Sequence, residues 1–149
     1  MLPLVPTLEF AAVLSGALFA GAALYINVAE HPARLGLETR VAALQWAPSY
    51  RRATMLQAPL ALLSLASGAT AWWLDAGTSW LIAALLVGAV VPFTFAVIMP
   101  TNNKLLAPNR DLASQETREL LVRWGRLHAV RTVLGLAGTV VYLWAALGA

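Results

Sequence analysis

Residues 80–99 read WLIAALLVGAVVPFTFAVIM, twenty consecutive residues without a charged side chain. A helix of about 20 predominantly apolar residues crosses the hydrocarbon core of a membrane, so this stretch predicts a transmembrane helix. Three further apolar runs lie at about residues 8–29, 53–73 and 127–147. The tight-turn residues Asp75-Ala76-Gly77 separate the second run from the third and predict antiparallel neighbours. The sequence therefore predicts an all-α, integral membrane four-helix bundle in a single domain.

The composition agrees with a membrane protein. Of the 149 residues, 60% are hydrophobic and 11% are charged, whereas soluble domains are about 25% charged. The chain has no cysteine, which excludes disulfides and thiol catalysis. Its net charge of +3 comes from few and localised basic residues. We therefore interpret the charge as a signal of topology and of contact with anionic membrane lipids, and expect no nucleic-acid partner.

All ten Lys and Arg residues lie between Arg34 and Arg131, in or beside the segments that follow the first and third runs. Basic segments stay on the cytoplasmic side of a membrane. This asymmetry predicts a multi-pass protein with both termini outside and both long connections inside. We expect its location to be the bacterial inner membrane. Helical extensions are expected in the long connections: residues 37–46 along the membrane surface, and a fourth helix that begins near Ser114, outside the membrane.

Local signals predict helix ends and helix contacts. The first helix is expected to start at a Thr7 cap and to end at His31-Pro32, and the third to end at Pro100, because the residue before a proline resists the α conformation. Small residues at helical spacing permit close contact between helices and also permit a homodimer. These pairs are Gly16 with Ala20, Ala17 with Gly21, and Gly135 with Gly138.

Polar side chains converge at the cytoplasmic ends of the predicted helices. Asn27 and His31 share a face at a spacing of four, and so do His128 and Arg131 at a spacing of three. Polar groups at membrane depth are costly, so they tend to face the bundle and one another. The pattern predicts one shared site, whose members in chain order are Asn27, Glu30, His31, Tyr50, Gln57, Asn102, Asn103, Trp124, His128 and Arg131.

Each member of this group also has a plainer explanation. Arg131 can extend to the lipid headgroups, and Glu30 can pair with an arginine of the following segment. His31 can simply mark a helix end before Pro32, and Trp124 can belong to an interfacial aromatic belt. These explanations do not account for amides, a carboxylate, two imidazoles and a guanidinium at one depth, so we favour a site.

A metal ion or haem is one alternative for this site. Glu30, His31 and His128 offer carboxylate and imidazole ligands that suit iron, copper or zinc. However, no HxxxH or ExxH pair lies within one helix, and adjacent Glu30 and His31 diverge by about 100° on a regular helix. Two histidines can in principle clamp a haem. The cofactor therefore stays open, and none is strictly required.

Four segments resemble a known family in the right order along the chain: FAGAALYINVAEHPARL, WAPSYRRATMLQAPLA, MPTNNKLL and LLVRWGRLHAVRTVLG. This family of small four-helix integral membrane proteins, a domain of largely unassigned function, includes the anthrone oxygenases. The EHP, PTN and WxxxH elements carry the resemblance. It implies that Asn27, Glu30, His31, Asn102, Trp124, His128 and Arg131 stand at motif positions.

The resemblance and the residues together imply an oxygenase that acts with dioxygen on a hydrophobic, phenolic, anthrone-like small molecule at the cytoplasmic helix ends. Anthrone oxidation begins with loss of an acidic C–H proton, for which neutral histidine is a suitable base. We expect His128 or His31 as the base, Glu30 to orient a histidine, and Arg131 and Asn102 to stabilise the oxyanion.

The remaining members of the group are expected to contact substrate: Asn27, Tyr50, Gln57, Asn103 and Trp124. The alternative function comes from a different class. It is a non-catalytic membrane module that binds a lipid, quinone or haem, or that assists a partner protein.

Overall fold

The structure is a computed structural model that describes residues 3–148. These residues form four helices, α1 Leu4–Leu35, α2 Thr39–Trp73, α3 Thr78–Leu105 and α4 Gln115–Ala146. Each helix packs against the next one along the chain, and α1 also packs against α4. The predicted all-helical bundle is therefore confirmed, with antiparallel neighbours in a closed ring.

Three helices of the described residues, α1, α3 and α4, are long and apolar enough to cross a membrane. α2 is not among them, although the sequence predicts a span at residues 53–73. Its polar residues Gln57, Ser64 and Ser67 lower its hydropathy, and all three are buried inside the bundle. The polarity of α2 is thus directed at the other helices, as expected for polar groups in a membrane bundle.

One wide π-helical turn interrupts each of α1 and α3, at Ile26–Glu30 and Thr94–Ile98. The residue after each turn, His31 or Met99, donates its N–H to the carbonyl five residues back and is followed by a proline. In a regular α-helix a proline ring clashes with the carbonyl four residues earlier. A π turn locally changes this register, so the helix accommodates the proline and continues.

Several predicted helix bounds are therefore wrong. α1 and α3 continue past their prolines, to Leu35 and Leu105. α2 begins at Thr39, so residues 37–46 contain its first turns and not a separate surface helix. Thr7 does not cap α1, because it lies inside the helix and its hydroxyl donates to the carbonyl four residues back.

The start of α4 and the end of α1 are joined by hydrogen bonds. Ser114 caps α4 by accepting the N–H of Thr117 at 3.2 Å, which confirms the predicted start near this residue. One turn later, Arg118 donates to the carbonyls of Leu35 and Leu37, the latter at 3.1 Å. The last carbonyls of a helix lack partners within it, so Arg118 satisfies the end of α1.

Of the four glycines in the predicted small-residue pairs, three lie at helix contacts. An added β-carbon would lie 3.0 Å from Ser64 Oγ at Gly16, and 2.8 Å and 2.6 Å from side chains of neighbouring helices at Gly135 and Gly138. Gly21 faces outward, and no atom would lie within 4 Å of its added β-carbon. The Gly21 position is thus no contact within the bundle, and the homodimer stays a prediction.

Two apolar clusters fill the bundle. One lies toward the chain termini and is rich in alanine around Phe19 and Tyr142. The other lies toward the opposite end, around Trp46 and Trp124. Polar residues of α1, α2 and α4 lie between the two clusters along the helices, and we call them the polar layer: Asn27, Gln57, His128, Arg131 and Thr132.

Candidate functional site

Both imidazoles of the chain lie inside the bundle against one indole ring. His31 and His128 are 4% and 2% exposed. The ring centroid of Trp124 is 4.9 Å from that of His31 and 4.8 Å from that of His128, on which it is stacked at 27°. Trp124 also packs edge-on against Trp46, and both indoles are buried. Trp124 therefore belongs to the core of the site and not to an interfacial belt.

Two side chains of α1 bind backbone carbonyls that are one turn apart on α4. Asn27 Nδ2 donates to the carbonyl of Gly125 at 3.0 Å, and His31 Nε2 is 2.9 Å from the carbonyl oxygen of Leu121. The two donors are four residues apart on α1, and the two carbonyls that they bind are four residues apart on α4. Asn27 and His31 share a face, as their spacing predicts, even though a π turn intervenes.

Hydrogen bonds occupy both nitrogens of His31. A carbonyl oxygen only accepts and a guanidinium only donates. His31 Nε2 therefore carries the proton that Leu121 accepts, and Nδ1 is the unprotonated nitrogen that accepts from Arg34 Nη1 at 3.0 Å. A ring bound in this way has no free lone pair to take a proton from a substrate.

Arg34 is the centre of a buried network that the sequence analysis did not assign to the site. Its guanidinium donates to Glu30, His31, Gln45 and Ser49, and Glu30 also accepts from the Ser49 hydroxyl. The residue is 3% exposed, and a buried charge needs such partners. The sequence signal for this network is the spacing of four between Glu30 and Arg34, which places an acid and a base next to each other on a helix. Glu30 thus acts on His31 only through Arg34.

His128 has the opposite pattern of hydrogen bonds. Asn27 Oδ1 accepts from His128 Nδ1 at 2.7 Å and from Thr132 Oγ1 at 2.6 Å. Because the Gly125 carbonyl takes the amide N–H of Asn27, the atom that faces His128 is an oxygen and cannot donate. Nδ1 of His128 therefore carries the proton. In the neutral ring Nε2 has the free lone pair, and it has no hydrogen-bond partner among residues 3–148.

The close approach of His31 to α4 requires a glycine at position 125. An added β-carbon there would lie 2.5 Å from His31 Cδ2 and 2.7 Å from Nε2. The ring cannot rotate away without losing hydrogen bonds on both nitrogens. Gly125 is thus part of the geometry that positions the α1 side chains against α4.

We expect Gly125→Ala to destabilise the folded protein by about 1–3 kcal/mol, the usual cost of overpacking a fixed core side chain. Gly21→Ala is the matched control, because nothing lies within 4 Å of an added β-carbon there. The control should be neutral or slightly stabilising, since alanine favours a helix over glycine. Thermal unfolding in detergent measures both, and equal Tm values would contradict the assignment.

A cleft opens between α2 and α3 and reaches Arg131 of α4 at its inner end. It has about 480 Å³ of empty space, which includes its open mouth. Arg131 Nη2 donates to Gln57 Oε1 at 2.9 Å. Arg131 Nε is buried and has no hydrogen-bond partner in the described part of the chain. The Arg131 side chain therefore lines a mainly apolar cleft together with the predicted site residue Tyr50, and its buried Nε keeps an unused donor.

Four other buried polar atoms of residues 3–148 also lack a hydrogen-bond partner: Trp46 Nε1, Trp124 Nε1 and both amide atoms of Asn102. Most buried polar groups in proteins are paired, so these atoms are available to water or a ligand. Asn102 is fully buried on the part of α3 that packs against α4. Its neighbour Asn103 is exposed and points away from the buried residues.

The structure separates the predicted site residues into two groups. Asn27, Gln57, His128 and Arg131 meet in the polar layer, where Trp124 contacts His128. Glu30 and His31 belong to the Arg34 network instead, although Trp124 also contacts His31. The two groups meet at the Trp124 ring and at Gly125, which accepts from Asn27 and packs against His31.

The proposed metal ligands do not form a metal site. Within the described residues, no group of three or more His, Cys, Asp or Glu side chains is placed to hold a metal ion. Glu30 is paired with Arg34, and both nitrogens of His31 are already bonded. The arrangement therefore gives no support to the ligand set Glu30, His31 and His128, or to a haem clamped by the two histidines.

Comparison with known proteins identifies relatives of one kind. The family profile described as anthrone oxygenase matches residues 46–141, a region that includes His128 and Arg131. The chain is 32% identical to the anthrone oxygenase tpcL of Aspergillus fumigatus, over 89% of this chain and 88% of that protein. It is 34% identical to the anthrone oxygenase ptaC of Pestalotiopsis fici, over 68% and 82%. No solved structure matches.

A third relative, the anthrone oxygenase of Claviceps purpurea, is 29% identical over 87% of this chain and 83% of that protein. These relatives are fungal, so they give no support to the bacterial inner membrane as the location. The three apolar helices of the described residues suggest a membrane protein.

Proposed function

Because the chain belongs to the anthrone oxygenase family, we propose that it oxidises an anthrone-like phenolic molecule with dioxygen. One observation carries the proposal: the Nδ1–H of His128 is fixed on Asn27, and its Nε2 lone pair is unused. A neutral, oriented imidazole with a free nitrogen can take a proton from a substrate as a general base. Membership of the family suggests the class of reaction, and the His128 imidazole is the proposed base.

The reaction converts the methylene carbon of an anthrone into a carbonyl. His128 Nε2 takes the first proton, and the electron pair left on carbon is delocalised onto the ring oxygen. This electron-rich anion adds dioxygen at the same carbon and is protonated to a hydroperoxide. Loss of the second C–H proton with cleavage of the O–O bond gives the new carbonyl and water. Dioxygen accepts all four electrons, so no other oxidant is required.

Arg131 is the proposed stabiliser of the anion. Its guanidinium is positioned by Gln57 at 2.9 Å and retains a free donor at Nε. Donors that are already oriented toward a developing oxyanion, in a site with little water, stabilise the transition state by several kcal/mol. His128 and Arg131 are three residues apart on α4 and therefore share a face. Asn102, with an unused amide, is the second proposed donor.

The proposed roles differ from the sequence-based ones at three residues. Asn27, and not Glu30, orients the base, because it accepts the Nδ1–H of His128. His31 positions α1 on α4 and is not the base, because both of its nitrogens are bonded. Tyr50, Gln57 and Trp124 remain proposed substrate contacts.

The activity is tested with the purified protein in detergent or lipid vesicles, with anthrone and a dihydroxylated anthrone as substrates. We expect dioxygen uptake and anthraquinone formation in equal amounts, because one oxygen atom enters the product and the other becomes water. Uptake no faster than the uncatalysed reaction for both substrates would contradict the proposal.

We further propose that the site lies at the cytoplasmic ends of the helices, with both termini on the opposite side, because basic segments remain in the cytoplasm. Reporter fusions after Thr78 and after Asn109 should give opposite results, with the cytoplasmic signal at Asn109. A cytoplasmic signal at Thr78 would contradict this orientation.

A further inference from the structure

We propose that the substrate enters laterally from the bilayer, through the cleft between α2 and α3, as an uncharged planar phenol whose oxygen meets Arg131. The inference rests on the proposed function and adds the route by which the substrate reaches Arg131 of that site. It is carried by an outward-facing, mainly apolar opening that has the Arg131 guanidinium at its inner end.

The opening exists because α2 and α3 separate partway along their length. Toward the turn at Asp75 they pack closely through small residues such as Ala71 and Ala84. Beyond Phe93, in the described chain, the backbone of α3 lies closer to α4 than to α2. The π turn Thr94–Ile98 begins at this point, and such turns change the direction of a helix. The opening is thus part of the helix geometry.

The walls of the cleft suit a flat apolar ring. Tyr50, Thr54 and Ala58 follow one another every four residues and form a stripe on α2. Thr54 donates its hydroxyl to the carbonyl of Tyr50 at 2.9 Å, so its polar atom is already used. Val91 and Phe95 line the α3 side at the same spacing, and Phe95 is 67% exposed. Between these walls, before it reaches Arg131, a charged molecule would lose its hydration and find no charged partner.

The inner end of the cleft selects for an acceptor oxygen. Arg131 Nη2 is used by Gln57, and the guanidinium carbon lies 5.6 Å from the centroid of the Phe19 ring. Nε is the buried donor without a partner. A lipid acyl chain would fill the cleft but would cover the Arg131 guanidinium without offering it an acceptor, which is costly for a polar group. A phenol or ring carbonyl fits the apolar walls and also offers the guanidinium an acceptor oxygen.

The mouth of the cleft opens toward lipid when the helices span a membrane. α3, which forms one of its sides, is long and apolar enough to do so, and the mouth lies along the flank of that helix, at Phe95. Tricyclic phenols partition out of water because their apolar surface is large. The membrane therefore concentrates the substrate at the mouth of the cleft.

The route is tested by narrowing the cleft with Ala58→Phe. Ala66→Phe is the matched control, because Ala66 is also an exposed alanine of α2 but does not line the cleft. We expect Ala58→Phe to raise KM about tenfold or more, the scale of a steric change in a binding pocket, with kcat and Tm unchanged. The control should leave KM at its wild-type value.

A binding measurement separates the route from the reaction. Dihydroxyanthraquinone, which has no methylene to oxidise, is added to the protein in phosphatidylcholine vesicles. Its binding is measured by the change in the tryptophan fluorescence of the protein. Its Kd should rise in Ala58→Phe and not in Ala66→Phe, and it should follow the mole fraction of ligand in the lipid. A Kd that follows the aqueous concentration, or that is equal in both variants, would overturn the lateral route.

The two proposals fail in different ways. Binding that depends on Ala58, together with no turnover of any anthrone, would support the route and overturn the proposed function. Turnover that is intact in Ala58→Phe but lost in Arg131→Gln would support the function and overturn the route.

Discussion

Replacing His128 with alanine should reduce kcat for an anthrone by about 10²–10⁴-fold, the usual contribution of a general base. The change removes the only imidazole of the described residues whose Nε2 is free, and it leaves Asn27 bonded to Gly125 and Thr132. The protein should still insert, because the apolar run from Thr132 onward is nearly long enough to span a membrane by itself. Steady-state turnover measures the loss of kcat, and Tm of the same preparation shows whether the variant is still folded.

His31→Gln is the control that tells a base from a structural histidine. The glutamine amide can still donate to the carbonyl of Leu121, as His31 Nε2 does. It offers no unprotonated nitrogen to Arg34, so we expect a lower Tm and a kcat within about a factor of a few of the wild type, since the chemistry is untouched. An equal loss of kcat in the His31 and His128 variants would refute the assignment of the base.

Arg131→Ala should cost about 3–4 kcal/mol of transition-state stabilisation, a rate loss of about 10²–10³-fold, because the developing oxyanion loses its donor. Arg131→Lys should restore little of it, since a point charge cannot bond to Gln57 and to the substrate with the planar fork of donors. The structure directs this guanidinium into the bundle, 2.9 Å from Gln57, and not toward lipid headgroups.

Arg126→Lys provides the comparison on the same helix, because Arg126 is exposed and makes no described hydrogen bond to the site. It should behave like the wild type. Wild-type turnover in Arg131→Lys would mean that the arginine only supplies charge or snorkels, and would count against the oxyanion role.

The sequence was a reliable guide where one property dominates. The four helices follow from long apolar runs, and the shared faces of Asn27 with His31 and of His128 with Arg131 follow from helical spacing. The sequence was a poor guide to the helix ends at the prolines. The residue before a proline normally resists the α conformation, so each helix was expected to end there. Pro32 and Pro100 are accommodated by the π turns that precede them, and no residue pattern in the sequence indicates these turns.

The sequence alone also did not show which predicted site residues surround His128 and which belong to the Arg34 network. Arg34 belongs to a basic segment that indicates topology, and only the folded chain brings its guanidinium to His31. The roles of the two histidines depend on contacts with the backbone carbonyls of Leu121 and Gly125. A carbonyl is present at every residue and leaves no trace in the sequence, so His31 and His128 were equivalent candidates until the helices were assembled.

The central claim is that His128 removes the methylene proton, and this step can be isolated by excluding dioxygen. Under anaerobic conditions in deuterated water, NMR measures how fast the methylene hydrogens of an anthrone exchange for deuterium. We expect the wild-type protein to accelerate the exchange well above the buffer rate, and His128→Ala to return it to that rate while His31→Gln does not. Exchange that is equally fast in His128→Ala, or no acceleration by a protein that turns over anthrone in air, would contradict the account.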